Sequence, residues 1–513
     1  MKYSLFLVLM IYFSFSNAKE ATNARIQMLY NSLDPKSIPE HLAFYQLYKH
    51  TEMGSSSLKV SWKLLSFDFK SNNYQIDQLP LNSSIIDTLV NLVNKQSTDE
   101  TPVLTNNELQ IIKQLASHLP NRKLKGYKAT SEVEVLELPP SEIDLARGLF
   151  LSQLGNDENA MQKLYSYEAM IDLMALQILA KLPEHAPVKL KIKLINQLIF
   201  EEMGFRFPPH SLYAKDVDVY TFLPSVLDSR RGVCLGVSIL YICLAQRLDL
   251  PLEMVTPPGH IYVRYRDQDN IINIETTARG IHLDCDEYLT IDTRSLELRS
   301  IKEVIGLAHY NLASTFWQKQ DFNQTINAYL KAKPYLPTDM QLLELLGFAY
   351  ILAGDKDEGE ELIKFVKDYL PEHAVSKDLL AEEYLSGLVD VEGIKAFFKP
   401  VDETRLSIIE KRDALKKVLN EHPNFSSGVF SLAVTWLQLH RQREALETLE
   451  YYHKIDPSNP TVEYYLSALY AERYDYKQSW NHLIQTEEIL QARSHHPKTL
   501  KELRKYLSNL SPY

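Results

Sequence analysis

The chain has 513 residues, 45% of them hydrophobic and 24% charged, enough for about three units of ordinary domain size with real cores. Its formal charge is −11 with no dense Lys/Arg block to offset it, so electrostatics lend nothing to nucleic-acid binding and leave peptides or proteins as the expected partners. Glycine is scarce at 16 residues and tyrosine abundant at 30, a balance that favours helices, where an interior glycine costs about 1 kcal/mol.

Residues 1–18 read as a secretory signal. Lys2 supplies the positive start, residues 5–15 the apolar run, and Ser16-Asn17-Ala18 the small residues before cleavage. That run is shorter than the ~20 residues that cross a bilayer, and no later run is long enough to do so. The mature chain keeps Cys234, Cys243 and Cys285. An odd, small number in an exported protein argues against a disulfide framework and leaves at least one thiol free.

Residues 19–137 have no assigned role, with helices expected over 85–93 and 107–118. A second unit, 138–300, begins near Leu138-Pro139-Pro140, where Ser141 is expected to cap a helix over 142–153. Helical patterns continue over 167–182 and 188–203, and Gly204 stands where the second should end. Arg230-Arg231-Gly232-Val233-Cys234 then opens an apolar run over 235–248. A helix apolar all round belongs in the middle of a domain. After Pro257-Pro258-Gly259-His260, the runs 260–266 and 271–275 alternate with period two and predict an antiparallel hairpin.

From Leu307 the chain repeats itself. Ala313 and Thr325, Gly347 and Gly359, Ala433 and Ala445, and Ser467 and Ser479 fall at equivalent landmarks of a 34-residue helix–turn–helix repeat, with Tyr329, Ile363, Leu449 and Leu483 four residues further on. Residues 374–424 are expected to hold one degenerate helix pair, so 301–513 reads as an α-solenoid of tetratricopeptide-like repeats.

Cys234 falls where a loop turns into the apolar helix, and the partial positive charge of a helix N-terminus favours a thiolate over a thiol. A nucleophilic cysteine needs a base, which His260 can supply from the start of a strand, and an acidic group to hold the imidazole. If Arg266 pairs with Ile271, Tyr262 lies opposite Glu275 and His260 opposite Thr277. Glu275 then shares a face with His260 and lies diagonally across from it, about 7–8 Å away. Asn273 shares that face one step farther off. Alone, a cysteine at a helix start is more often a small buried residue than a nucleophile; the order Cys, His, acid on helix, strand and strand makes the constellation. Cys243 points to the opposite side of the helix and reads as core. Cys285, in His282-Leu283-Asp284-Cys285-Asp286, matches no zinc spacing, and no metal site is assigned.

These residues resemble the transglutaminase-like superfamily, most closely its SirB-type branch. The likeness is carried by Phe200-Glu201-Glu202-Met203-Gly204-Phe205, Val226-Leu227-Asp228-Ser229-Arg230-Arg231-Gly232, Ser238-Ile239-Leu240-Tyr241, Leu244-Ala245-Gln246-Arg247-Leu248 and Pro258-Gly259-His260-Ile261-Tyr262-Val263-Arg264. The resemblance implies a papain-like α+β fold within a mainly helical chain, followed by tetratricopeptide-like repeats. It also implies a Cys-His-Asp triad, carried here by Cys234, His260 and Glu275, with Glu one methylene longer than Asp. No metal or organic cofactor is implied, and a bacterial source would place the chain in the periplasm or outside the cell. Members of this branch often carry proline at the position of Cys234. Two functions therefore stand side by side: cysteine-dependent acyl transfer, giving amide hydrolysis or cross-linking, and a non-catalytic scaffold that binds a peptide or protein in the groove of its repeats.

Overall fold

The computed structural model describes residues 23–66, 83–208, 220–268, 270–402 and 404–511; the expected export signal lies outside them. The chain forms two compact units, residues 1–120 with 162–198, and residues 121–161 with 199–513.

Among its described residues the first unit has helices and connecting loops and no strand. Helices Ser83–Val93 and Asn106–Leu115 occupy the two segments expected from sequence. The second starts at Thr105, whose side chain accepts from Glu108 N while the Glu108 carboxylate takes the Thr105 N–H, a reciprocal capping box. Leu89, Leu92 and Ile112 are almost fully buried. Each such side chain contributes roughly 1.5–3 kcal/mol by leaving water. Leu104 N donates to Ser166 Oγ at 2.9 Å, tying the loop before that helix to Glu158–Lys181.

The second unit contains a small sheet and the repeats. Its early helix is Leu145–Leu154, capped by Asp144 and not by Ser141. Pro139 and Pro140 open a 3-10 turn, Pro140–Glu142, which delays the helix to the next capping residue. The continuous helix expected over 188–203 is instead helix Val188–Asn196 followed by a π-helical turn, Gln197–Glu202. Helix Cys234–Arg247 is buried on every side, as an all-round apolar sequence requires. It packs against a four-stranded antiparallel sheet. The strands are β1 Glu253–Thr256, β2 Tyr262–Arg266, β3 Ile271–Ile274 and β4 Glu297–Arg299, in the order β3-β2-β1-β4. The hairpin register is Arg266 with Ile271 and Val263 with Ile274, as the alternation predicts.

The repeats follow as helix pairs: Ile301–Gln318 with Phe322–Ala332, Met340–Ala353 with Lys356–Val366, Ser426–Gln438 with Gln442–Ile455, and Pro460–Glu472 with Tyr476–Ala492. At each pair the two small landmark residues are buried where the helices cross. Ser467 and Ser479 exchange hydroxyl-to-carbonyl hydrogen bonds at 2.9 and 2.8 Å, so the backbones meet with only a hydroxymethyl between them. The segment read as one degenerate pair holds three helices, Leu380–Leu385, Val391–Phe397 and Arg405–Glu421. Ser386-Gly387 and Pro400 break it twice. No helix among the described residues is long and apolar enough to cross a membrane.

Candidate active site

The loop that delivers Cys234 is pinned on both sides. Arg206 N donates to Arg230 O and Gly232 N to Arg206 O, both at 3.2 Å, and Val233 N donates to Tyr220 O at 3.1 Å. Gly236 allows this approach: a Cβ there would sit 2.3 Å from Tyr220 O, inside contact distance of a backbone that cannot step aside. Cys234 is thereby held, half-buried, as the first residue of its helix. Val233, the residue before it, offers no side-chain cap.

His260 is set by a turn in which its N–H donates to Pro257 O at 3.0 Å and Gly259 takes φ 71°, which glycine adopts without strain. Glu275 follows the end of β3. The sequence placed Thr277 in the ladder opposite His260, but the ladder ends at Val263–Ile274 and Glu275 caps a 3-10 turn, Thr276–Ala278. Its Oε1 accepts from Thr277 N at 3.1 Å and Thr277 Oγ1 at 2.6 Å, bonds that a continuing strand would not allow.

The turn leaves Oε2 of Glu275 facing the imidazole, and His260 Nε2 donates to it at 2.6 Å. Cys234 also lies near enough to the imidazole to raise its pKa. Cys234, His260 and Glu275 are thus brought together in that order. Thr276 braces the arrangement: its hydroxyl lies 3.0 Å from Ser238 Oγ and donates to Cys234 O at 3.5 Å.

The electrostatics follow from these contacts. Burial disfavours an imidazolium at His260, but hydrogen bonds with Cys234 and Glu275 and the charges of both outweigh it, raising the pKa from 6.5 to about 9. Burial likewise disfavours the Glu275 carboxylate. Hydrogen bonds from His260, Thr277 and Tyr288, with the imidazolium charge, overcome this and hold the group at about 2. The imidazole beside Glu275 is therefore protonated at neutral pH.

Tyr288, which sequence reasoning did not single out, donates to Glu275 Oε2 at 2.7 Å and stacks its ring on those of Tyr262 and His260. Asn273 does not reach toward His260: its Oδ1 accepts from Arg264 Nε at 2.9 Å and its amide donates to Leu283 O at 2.6 Å. Cys285 Sγ accepts from Arg264 Nη2 and Asn273 Nδ2 at 3.3 and 3.4 Å, while Cys243 is fully buried. The three cysteines are free thiols.

Residues 165–299 match the family model of the transglutaminase-like superfamily. The chain carries a transglutaminase-like domain. The match ends at β4 and takes in helix Cys234–Arg247 and the hairpin. A UPF0162 protein of Xylella fastidiosa is 21% identical over 262 residues, covering 48% of this chain and 89% of that protein. A UPF0162 protein of Pasteurella multocida is 37% identical over 86 residues, 16% of this chain and 31% of that one. F-box only protein 21 of Mus musculus is 26% identical over 120 residues, 22% and 17% of the two chains. Among solved structures, MamA from Desulfovibrio magneticus aligns with 36% of this chain and 96% of its own at 12% identity and a TM-score of 0.19. At that score the likeness carries no argument, and the tetratricopeptide-like reading of the repeats rests on their helix pairs and buried small residues. Away from the Cys234 centre, Arg299 of β4 and Asp339, Glu344, Tyr369 and His373 from the repeats line a cavity of about 860 Å³.

Proposed function

We propose that this protein is an exported cysteine-dependent acyltransferase acting on a peptide or protein amide. The observation that carries the reading is the imidazole of His260, held by Glu275 at 2.6 Å, with Cys234 near enough to raise its pKa. With Nε2 on the carboxylate, Nδ1 is the nitrogen left for sulfur. In this mechanism the Cys234 thiolate attacks the amide carbonyl carbon, and the C–N bond breaks as imidazolium His260 gives its proton to the leaving amine. Glu275 keeps the ring oriented and balances its charge. The first-turn N–H groups of helix Cys234–Arg247 have no side-chain cap at Val233 and would serve as donors to the developing oxyanion. Water, deprotonated by His260, resolves the thioester to an acid; an amine in its place gives a cross-link.

The repeats would recruit the substrate, as solenoids commonly do through their extended surfaces. The alternative, a scaffold without catalysis, draws its support from the same repeats and the cavity of about 860 Å³ they line with β4. Two measurements separate the readings. Iodoacetamide at neutral pH should label Cys234 well ahead of buried Cys243, and His260→Ala should slow that labelling. A Cys234→Ala protein should lose amide turnover in a peptide-library screen while keeping its partners. Labelling indifferent to His260, with function intact in Cys234→Ala, would leave the scaffold reading standing. The export reading rests on Lys2 and the apolar run over 5–15. It is checked by expressing the whole chain and reading the N-terminus of the processed protein, which should begin at Lys19.

A further inference from the structure

A second cluster of coordinating side chains lies in the last two repeats. His453 stands in the last turn of helix Gln442–Ile455, Glu463 in the first turn of Pro460–Glu472, and His482 in the second turn of Tyr476–Ala492. His453 Nδ1 donates to Oε1 of Glu463 at 2.5 Å, and His482 Nδ1 donates to Oε2 at 2.7 Å. One donor atom from each residue lies within 4.8 Å of those from the other two. The Glu463 side chain has no exposure, whereas His482 keeps 13% and His453 32%, so solvent reaches the cluster from the His453 side. The Tyr470 ring stacks on His482 with centroids 5.5 Å apart, and its hydroxyl donates to Glu450. The deeper imidazole is thus held by this stack, and the His453 ring lies edge-on to it with centroids 5.4 Å apart.

Two imidazoles and one carboxylate, each from a different helix, form a three-ligand set that suits zinc, with a fourth position for water. Both oxygens of Glu463 face ring nitrogens, so a cation entering the cluster would replace two shared protons without recruiting a new residue. Metal bonds of about 2.0–2.2 Å need the donors to part by less than about 1 Å from their present hydrogen-bond separations, within reach of side-chain rotation at the partly exposed His453. Hard cations such as Mg²⁺ and Ca²⁺ prefer six or more oxygen ligands and are poorly served by two nitrogens. We propose that His453, Glu463 and His482 bind one Zn²⁺, which ties together the three helices of the last two repeats.

The test is a calorimetric titration of Zn²⁺ into the metal-free, full-length mature protein, beside His453→Gln and His482→Gln and with Cys234→Ala as background. One equivalent should bind, each histidine variant should weaken it at least tenfold, and Cys234→Ala should leave it unchanged. Zn²⁺ should also raise the melting temperature of the unsubstituted protein and not that of His453→Gln. Co²⁺ in the same site should show the visible bands of a four-coordinate centre without a thiolate charge-transfer band. Circular dichroism confirms folding, and because His453 is the most exposed member its variant decides the matter if His482→Gln does not fold. Failure to bind one equivalent, or binding that survives both histidine variants, overturns the proposal and leaves the trio as a hydrogen-bonded group. None of these readouts depends on acyl transfer at Cys234.

Discussion

Tyr288 and His260 share one oxygen atom: both donate to Oε2 of Glu275, at 2.7 and 2.6 Å, with their rings stacked 5.9 Å apart. Tyr288→Phe removes one donor and keeps the stack. Hydrogen bonds to a charged group contribute about 1.5–3 kcal/mol, so the Glu275 carboxylate becomes easier to protonate. Glu275 is depressed to about 2 from 4.5, so its contribution to stability is present above pH 4.5 and lost as pH falls through about 2. The acid-unfolding midpoint of the Tyr288→Phe protein should therefore move to higher pH, as read by circular dichroism.

His260 carries the opposite sign. Its pKa is raised to about 9 from 6.5, so its pairing adds full stability below pH 6.5 and loses it as pH rises through about 9. Histidine ring signals followed by NMR should show one imidazole titrating near pH 9, and Glu275→Gln should bring that midpoint down toward 6.5. If His260 is the proton donor to the leaving amine, turnover should fall over the same alkaline interval.

His309 is buried in the first repeat with neither ring nitrogen hydrogen-bonded, and burial, aided by the charge of Lys331, lowers its pKa to about 4. Between pH 6.5 and about 4 the unfolded chain takes up a proton that the folded protein refuses, so stability declines as pH falls through that window. Replacing His309 with Phe keeps a ring against Tyr335 and removes the unsatisfied nitrogens. The expected gain is about 1 kcal/mol in urea unfolding at pH 7, with a flatter response to mild acid.

Gly236→Ala places a methyl 2.3 Å from Tyr220 O, and the helix start must shift to relieve it. Overpacking of this kind costs about 1–3 kcal/mol. The same shift should move Cys234 away from His260 and slow its alkylation more than that of Cys285.

The sequence made the hairpin legible because strict alternation and one polar turn leave few registers open, and the neighbourhood of His260 and Glu275 follows from that register. Paired small residues at fixed spacing, such as Gly347 with Gly359, disclosed the repeats for a similar reason: close backbone approach admits few side chains. Other features had no such signature. β1 and β4 have four and three residues, too short to show a period. Tyr288 meets Glu275 only after the chain has turned through Thr276–Ala278 and Cys285–Tyr288, which have neither helical nor strand periodicity. Ser141 and Asp144 are both good caps, and the prolines before them decided between the two. The His453, Glu463 and His482 trio is spread over three helices, so no local spacing announced it.

The short link between Arg266 and Ile271 carries a consequence for how the meeting of His260 and Glu275 can be lost in evolution. Surface turns accept insertions at small entropic expense. One added residue between the paired strands, however, would exchange the two faces of β3 if the pairing slid to absorb it, carrying Glu275 away from His260. A lineage could thereby separate Glu275 from His260 through a single-codon insertion and keep its sheet, its repeats and all three residues Cys234, His260 and Glu275. Among relatives of this chain, the length of that turn is as informative as the presence of the cysteine.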